Sequence, residues 1–470
     1  MNFAPVLRFI AYSHFGIAVA MLWPALLAGT SGSASFSGYL LGAMGASMVG
    51  TLSLAISTGM RSVAPVRSGL RELLLALLFF WAVLPVTAAI PFLFEGMRFG
   101  EAWFEAVSAI TTTGAWLSEP LARATDHDML YRASLQWIGG LVSVSTAAAV
   151  FIRPEFIGIA PLVPPFARGE EGSYLRAFAR AIRSFAPIYG AIAAFGALAL
   201  MLLGISVIEA MTMAMSFLAS GGFVPHPQGI AAYDVPSRLV AMILMILGAV
   251  NFVVIAYRVL GRGTGIRNGR DPETRTFLIL IPVIAVIFWL SRGAGDIDRL
   301  LAQAFNAVSS LSTNGITLGR PPALIPILVT SVIGGAAVST AGGIKLLRWL
   351  LTFQRTGEEL WRLTHPGAVS GRSPSTNEFG VWIHALAFAV LLAILVLATA
   401  FFGYSLETSA TAAVAVISNS GPLLTLAPLM TGDYLIFEPG LRTAFGVGMI
   451  AGRLELIVLL VVVNRRFWQG

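Results

Sequence analysis

The chain has 470 residues, of which 57% are hydrophobic and only 11% charged, and its formal net charge is +7. A water-facing surface needs roughly 25% charged residues, and the mean hydropathy here is +0.82. The chain must therefore face lipid, which excludes a soluble multidomain protein, a disordered chain and a nucleic-acid binder. The absence of cysteine excludes thiolate metal sites, iron–sulfur clusters and a disulfide scaffold. The five histidines (His14, His127, His226, His365 and His384) show no ligand spacing, which speaks against a histidine metal site.

Runs of about 20 apolar residues can cross a bilayer as helices. In chain order they occupy 9–30, 37–58, 72–95, 129–152, 184–207, 236–260, 276–292, 325–352, 379–403 and 440–463, ten in all. Residues 1–8 lack an arginine-rich start followed by a small-residue cleavage site, so the first run reads as a retained span. All the basic residues but Lys345 are arginine, and they alternate between connections. Arg8 and the connections near 61–71, 153–183, 258–275, 355–372 and 465–466 hold 19, whereas the opposite connections hold eight. The arginine-rich set is read as cytoplasmic, with both termini inside and attracted to anionic lipid. The longest polar stretches, about 153–183 and 354–378, are too short and too basic to fold alone. A regulatory or nucleotide-binding domain must then come from another chain.

An internal repeat emerges between successive spans on the other side. A short apolar segment is followed by a small polar cluster ending in glycine. The clusters are Thr111-Thr112-Thr113-Gly114, Ala219-Ser220-Gly221-Gly222, Ser312-Thr313-Asn314-Gly315 and Ser418-Asn419-Ser420-Gly421. Their last glycines lie 108, 93 and 106 residues apart. A ten-residue helix covers roughly 15 Å, half the hydrocarbon core. The segments therefore enter the membrane without crossing it. They start near Glu101, Glu209, Asp298 and Glu407, where the helix dipole favours an acid. Irregular backbone at membrane depth is tolerated only where it is buried or lines water. Four such turns on one axis, at the negative ends of four helices, predict a ring of carbonyls that selects cations. The glycines are expected to supply backbone angles that side chains disfavour.

At these residues the chain resembles the Trk/Ktr/HKT superfamily of potassium transporters, and within it the Trk-type membrane subunit. F-E-A-V-S-A-I-T-T-T-G-A (Phe104–Ala115), S-G-G-F (Ser220–Phe223), F-N-A-V-S (Phe305–Ser309) with T-N-G (Thr313–Gly315), and N-S-G-P (Asn419–Pro422) look like its four filter segments. Q-W-I-G-G (Gln136–Gly140) resembles its first pore-flanking inner helix, and G-R-L-E (Gly452–Glu455) the last helix of its fourth repeat. G-G-A-A-V-S-T-A-G-G-I-K (Gly334–Lys345) resembles its intramembrane gating loop, although Ala336, Val338 and Ala341 stand where members often carry Cys or Gly. The resemblance implies an all-α polytopic membrane protein with four span–pore helix–filter–span repeats and two extra N-terminal spans. The expected divisions are 1–60, 61–157, 158–262, 263–356 and 357–470. It implies K⁺ uptake across the cytoplasmic (inner) membrane with K⁺ held at the sixteen cluster residues. It also implies a homodimer and a cytoplasmic nucleotide-binding partner of the TrkA type carrying ATP, ADP or NAD, with no cofactor on this chain and no enzymatic activity. Gly114, where a serine goes with Na⁺ preference in relatives, supports K⁺.

Charges inside the spans add a candidate gate. Gly334, Gly335, Gly342 and Gly343 bracket Ser339 and Thr340, which reads as a helix break, and Lys345, Arg348, Arg453 and Glu455 fall in apolar surroundings. Charges there are costly, at about 2.5–3.5 kcal/mol each on insertion scales. Arg453 is expected to pair with Glu455 or with a loop carbonyl. An alternative function is a secondary transporter of a small solute or Na⁺ with broken helices at the midplane. That fold shows an inverted repeat pair, whereas here all four clusters lie on one side. An intramembrane enzyme would need a nucleophile–base or metal constellation that the sequence lacks.

Overall fold

The computed structural model describes residues 3–60, 69–117, 125–150, 174–260, 271–365, 378–428, 433–454, 461 and 464–468. Among these residues the regular structure is helical, and the β-pairing is a single isolated bridge between Trp116 and Asp433. Helices α1 (Phe3–Thr30) and α2 (Ser35–Gly59) form an N-terminal hairpin. It packs on the first of four units that share one order of elements.

In the first unit, α3 (Leu70–Ala82), α4 (Leu84–Ala88) and α5 (Ile90–Phe94) make one apolar stretch. It is divided near Pro85 and Pro91, which cannot donate a backbone hydrogen bond. The short α6 (Phe99–Ile110) and the long α7 (Asp126–Val150) follow. The second unit holds α8 (Tyr174–Leu202), the short α9 (Val207–Leu218), α10 (Val235–Ala249) and α11 (Phe252–Val259). The third holds α12 (Pro272–Ser291), α13 (Ile297–Leu311), α14 (Leu324–Ile333) and α15 (Leu346–Thr364). The fourth holds α16 (Glu378–Phe401), the short α17 (Leu406–Ile417) and α18 (Pro439–Arg453), followed by α19 (Arg465–Trp468).

Seven described helical stretches are long and apolar enough to span a bilayer, or eight if a bent pair counts as one span. Two of the ten predicted runs are not the straight spans their hydropathy suggests, and a third is described only in part. The run 236–260 breaks by 99° between α10 and α11. The run 325–352 is interrupted between Ile333 and Leu346. In 440–463, α18 ends at Arg453, and Glu455 lies outside the described residues. Hydropathy averages over such breaks because the interrupting residues are themselves small or apolar.

The short helices begin where side chains cap them. Ser206 accepts from the amide of Glu209, Asp296 from Arg299 and Ser405 from Thr408. Before α6 the roles reverse, and the amide of Arg98 donates to Glu101 at 3.1 Å. Each such cap contributes about 1 kcal/mol. Outward faces are apolar: Phe195, Leu202, Leu386, Leu397 and Phe401 are exposed, which accounts for the low charge content.

Without a hydrophobic drive between helices in lipid, close packing of small residues holds such bundles together. Three long helices approach the ends of the short ones through glycine. A Cβ on Gly139 would collide with the carbonyl oxygen of Ile110, one on Gly248 with that of Leu218, and one on Gly452 with that of Ile417. In the third unit the interruption after α14 takes the place of this contact. Gly139→Val is expected to lower stability by about 1–3 kcal/mol through overpacking. Gly16→Val, where nothing lies within 4 Å of the new Cβ, is expected to leave the melting temperature in detergent nearly unchanged. Thermal denaturation of the two variants side by side is the check.

Candidate ion pathway

The four short helices end in one and the same turn. Thr113 N donates to Ser108 O at 2.9 Å. Gly221 N to Ser216 O, Asn314 N to Ser309 O and Ser420 N to Ala415 O each measure 2.8 Å. One residue earlier, Thr112, Ser220, Thr313 and Asn419 donate to Ala109, Phe217, Ser310 and Val416 at 3.0–3.2 Å. These paired bonds are the Schellman closure of a helix, in which the left-handed residue is normally glycine. Here it is not. Thr112, Ser220, Thr313 and Asn419 hold φ of 56°, 60°, 59° and 51°. A side chain held there costs of order 1–3 kcal/mol, and such strain concentrates at functional sites.

The sequence had assigned the unusual backbone to the glycines alone. Gly114, Gly222 and Gly315 are left-handed, with φ of 70°, 62° and 73°. Gly421 is not, because the chain enters a 3₁₀ turn there with Pro422. All four glycines share a different constraint, which is proximity. A Cβ on Gly114 would strike the carbonyl oxygen of Gly221, and one on Gly222 that of Asn314. A Cβ on Gly315 would meet Ser420 at 2.6 Å, and one on Gly421 would strike the backbone of Ala115 and Gly114. Each turn thus abuts the next in the order one, two, three, four and back to one. The sixteen predicted residues close into a ring, sealed by Gly421 N donating to Thr113 O at 2.6 Å and Gly222 N to Asn314 Oδ1 at 3.1 Å.

The ring is buried yet incompletely hydrogen-bonded. All the cluster side chains are inaccessible. Among the described residues, the carbonyls of Thr111, Thr112, Ala219, Ser220, Ser312, Thr313, Ser418 and Asn419 accept no hydrogen bond. Thr112 Oγ1, Gln136 Oε1, Ser418 Oγ and Ser420 Oγ are also buried without a partner. Buried polar atoms are normally paired with protein, water or an ion. The vacant acceptors gather at one place, at the negative ends of four helix dipoles.

Behind the ring, supports differ between units. Glu105 Oε1 accepts from Leu117 N at 2.6 Å, and Asn306 Oδ1 accepts from Leu318 N at 2.7 Å, twelve residues on in each case. The equivalent residues in units two and four are Met213 and Ala412, which offer no such acceptor. Glu105 also takes Arg132 Nε at 3.0 Å in a buried pair, and Arg132 lies 5.0 Å over the Phe92 ring. Tyr434 Oη donates to Gly421 O at 3.1 Å.

The predicted interruption 334–345 lies directly against the ring. Ser220 Oγ and Thr340 Oγ1 are 2.8 Å apart, and Gly342 N donates to Thr313 Oγ1 at 2.8 Å. A Cβ on Gly342 would strike Ser418 O. Gly334, Gly343 and Lys345 are left-handed, with φ of 73°, 74° and 76°, whereas Gly335 and Gly342 are needed for close approach. Arg453 is buried on the loop, donating from Nη1 to Thr340 O and from Nε to Ser143 Oγ, both at 2.7 Å. The loop carbonyl expected as a partner of Arg453 is thus present, and Glu455 lies outside the described residues. Lys345 Nζ donates to Ala337 O at 3.0 Å.

Two features escaped the sequence. The first is the break after α10, whose backbone pairs with the loop: Ala336 N donates to Ala249 O at 2.8 Å, Thr340 N to Gly248 O at 2.9 Å and Phe252 N to Val338 O at 2.8 Å. The second is the group of Glu95, His127 and Asp128, whose ligand atoms lie within 4.8 Å of one another. Tyr39 Oη is 3.1 Å from Asp128 Oδ1. His127 and Asp128 are chain neighbours, but Glu95 comes from the end of α5, 32 residues earlier, so spacing did not join it to them.

Breaking a buried ion pair from one side leaves an uncompensated charge and costs about 3–5 kcal/mol. Arg132→Met is therefore expected to destabilise the protein by that order, and Arg132→Met with Glu105→Gln by clearly less. A double-mutant cycle on thermal stability checks this.

A family model described as TrkH, cation transport protein, matches residues 71–464. The Trk system potassium uptake protein TrkH of Salmonella typhimurium is 30% identical over 426 residues, covering 85% of this chain and 86% of that protein. TrkH of Escherichia coli K12 is 29% identical with the same coverage. The crystal structure of the potassium transporter TrkH from Vibrio parahaemolyticus superposes with a TM-score of 0.86 at 25% identity, over 100% of both chains. These relatives are transporters and not enzymes, and the chain belongs to the TrkH family of cation transport proteins.

Proposed function

We propose that this chain takes up K⁺ across the cytoplasmic membrane through a pore whose selectivity filter is the ring 111–114, 219–222, 312–315 and 418–421. The observation that carries the reading is the closed ring of four turns, two of whose carbonyls in each turn have no protein partner among the described residues. A dehydrated cation on the ring axis would receive from these oxygens what it gives up in water, and four helix ends add negative potential. The relatives named for potassium uptake support the choice of K⁺. The same-sided, cyclic arrangement of the turns argues against a midplane solute site between inverted repeats.

In this reading, residues 61–157, 158–262, 263–356 and 357–470 are the four pore units behind an N-terminal hairpin, with both termini and the arginine-rich connections in the cytoplasm. The loop 334–343, with Lys345 and Arg453, is the gate. It touches the turns of units two, three and four, and Arg453 ties it to α7 and α18. A fixed positive charge on the path repels K⁺, and displacing it opens the way. The chain works as a homodimer under a cytoplasmic nucleotide-binding subunit of the TrkA type, which carries ATP, ADP or NAD. The "Trk system" in the relatives' names supports such a partner.

Flux into proteoliposomes, K⁺ against Na⁺, tests the core of the reading; equal flux of both ions, or none, would reject it. Gly114→Ser brings a side chain against Gly221 O and is expected to lower K⁺ over Na⁺ discrimination by about tenfold or more. Permeability ratios equal to wild type would remove Gly114 from the filter. Arg453→Ala is expected to raise basal K⁺ flux per inserted molecule and weaken control by the partner. A structural role alone predicts less inserted protein with flux per molecule unchanged.

A further inference from the structure

Glu273 stands in the first turn of α12 and is 4% exposed, yet its own helix does not use it. Asp271 caps α12, accepting from Thr274 N at 3.0 Å and from its hydroxyl at 2.6 Å. The two oxygens of Glu273 go elsewhere. Oε1 accepts from the loop amide of Ala337 at 2.8 Å, and Oε2 accepts from Asn251 Nδ2 at 3.1 Å. Asn251 lies at the 99° break and caps α11 through Oδ1, which accepts from Val253 N at 3.1 Å. One carboxylate therefore joins three elements: the loop, the broken helix and the start of α12.

The neighbouring bonds give this joint a direction. Ala337 is gripped on both sides of its residue, with its amide on Glu273 and its carbonyl on Lys345. The next residue, Val338, offers its carbonyl to Phe252 N at 2.8 Å, in the first turn of α11. Consecutive loop residues are thus held by the first turns of two consecutive helices, α11 and α12. A change in the spacing of those helices must break at least one of the two grips. A buried carboxylate released from its donors is costly, so the closed arrangement is favoured while the spacing is kept.

Resting on the gate reading above, we propose that Glu273 is a positioning residue that couples the relative placement of α11 and α12 to the closed state of the 334–343 loop, with Asn251 as its fixed counterpart. Glu273 does not touch the ring and has no part in selecting the ion. Its carboxylate holds the loop in place, and separation of α11 from α12 releases the loop from the ring.

The chain has no cysteine, so a single introduced cysteine reports on the loop without background. Val338→Cys, in the full chain reconstituted in proteoliposomes, is exposed to a thiosulfonate reagent, and K⁺ flux is measured in the same preparations. Glu273→Ala is expected to raise both the labelling rate and the basal K⁺ flux per inserted molecule by about tenfold, the worth of a hydrogen bond to a charged group. The K⁺ to Na⁺ ratio stays at the wild-type value. Glu273→Gln keeps an acceptor for Ala337 N but turns a second amide toward Asn251, and falls between the two. Asn251→Ala moves labelling and flux in the same direction by less. Inserted Glu273→Ala protein with wild-type labelling and flux overturns the proposal. If that variant fails to insert, Glu273→Gln and Asn251→Ala decide it, and wild-type values in both overturn it. Wild-type chain that passes no K⁺ defeats the transport reading instead, whereas K⁺ flux that is indifferent to Glu273 defeats this coupling alone.

Discussion

A peptide group at membrane depth needs a partner, and the centre of this molecule is built around the few that lack one inside the protein. Long helices satisfy their own backbone. The four short helices stop midway, and their closing turns use two carbonyls each for the Schellman bonds while leaving the two carbonyls just beyond each helix end vacant. Much of the remaining architecture holds that unfinished arrangement still. Glycines on α7, α10 and α18 bring helix backbones against the ends of the short helices. Glu105, Asn306 and Tyr434 fasten the segments leaving the turns.

The same requirement explains why two helices break together. Ending α10 at Ala249 exposes the carbonyls of Gly248 and Ala249, and interrupting the third unit after Ile333 exposes the amides of Ala336 and Thr340. Neither break is tolerable alone in lipid. Paired, each supplies what the other lacks. The loop is therefore held against the ring by a neighbouring unit and depends on that unit for its shape.

The larger features were legible in the sequence because they rest on periodic composition. Ten apolar runs, four acid-started short segments and four polar clusters are local patterns, and the cluster residues do meet in one ring. The 99° break after α10 was not legible, since Gly248 and Asn251 sit inside an otherwise apolar run and hardly disturb its hydropathy average. The left-handed Thr112, Ser220, Thr313 and Asn419 were hidden for another reason. Local propensity points to the glycine two positions on, and only tertiary closure forces a side-chain-bearing residue into that conformation. Glu273 reads locally as an ordinary acid in a first helical turn; its bonds run to residues 22 and 64 positions away.

The four turns belong to one covalent chain, so no symmetry obliges their walls to match. At the third position of the ring stand Thr113, Gly221, Asn314 and Ser420, four different residues on one backbone template. In a ring assembled from four identical subunits every substitution would be copied fourfold, and an interruption like the one after α14 would appear on all sides. Here one wall can carry a loop, two can carry a rear clamp and two can place an amide side chain on a neighbour, each without imposing the change on the others. Heredity thus has access to quarter-steps in the chemistry of the ring, increments that a homotetramer could not make.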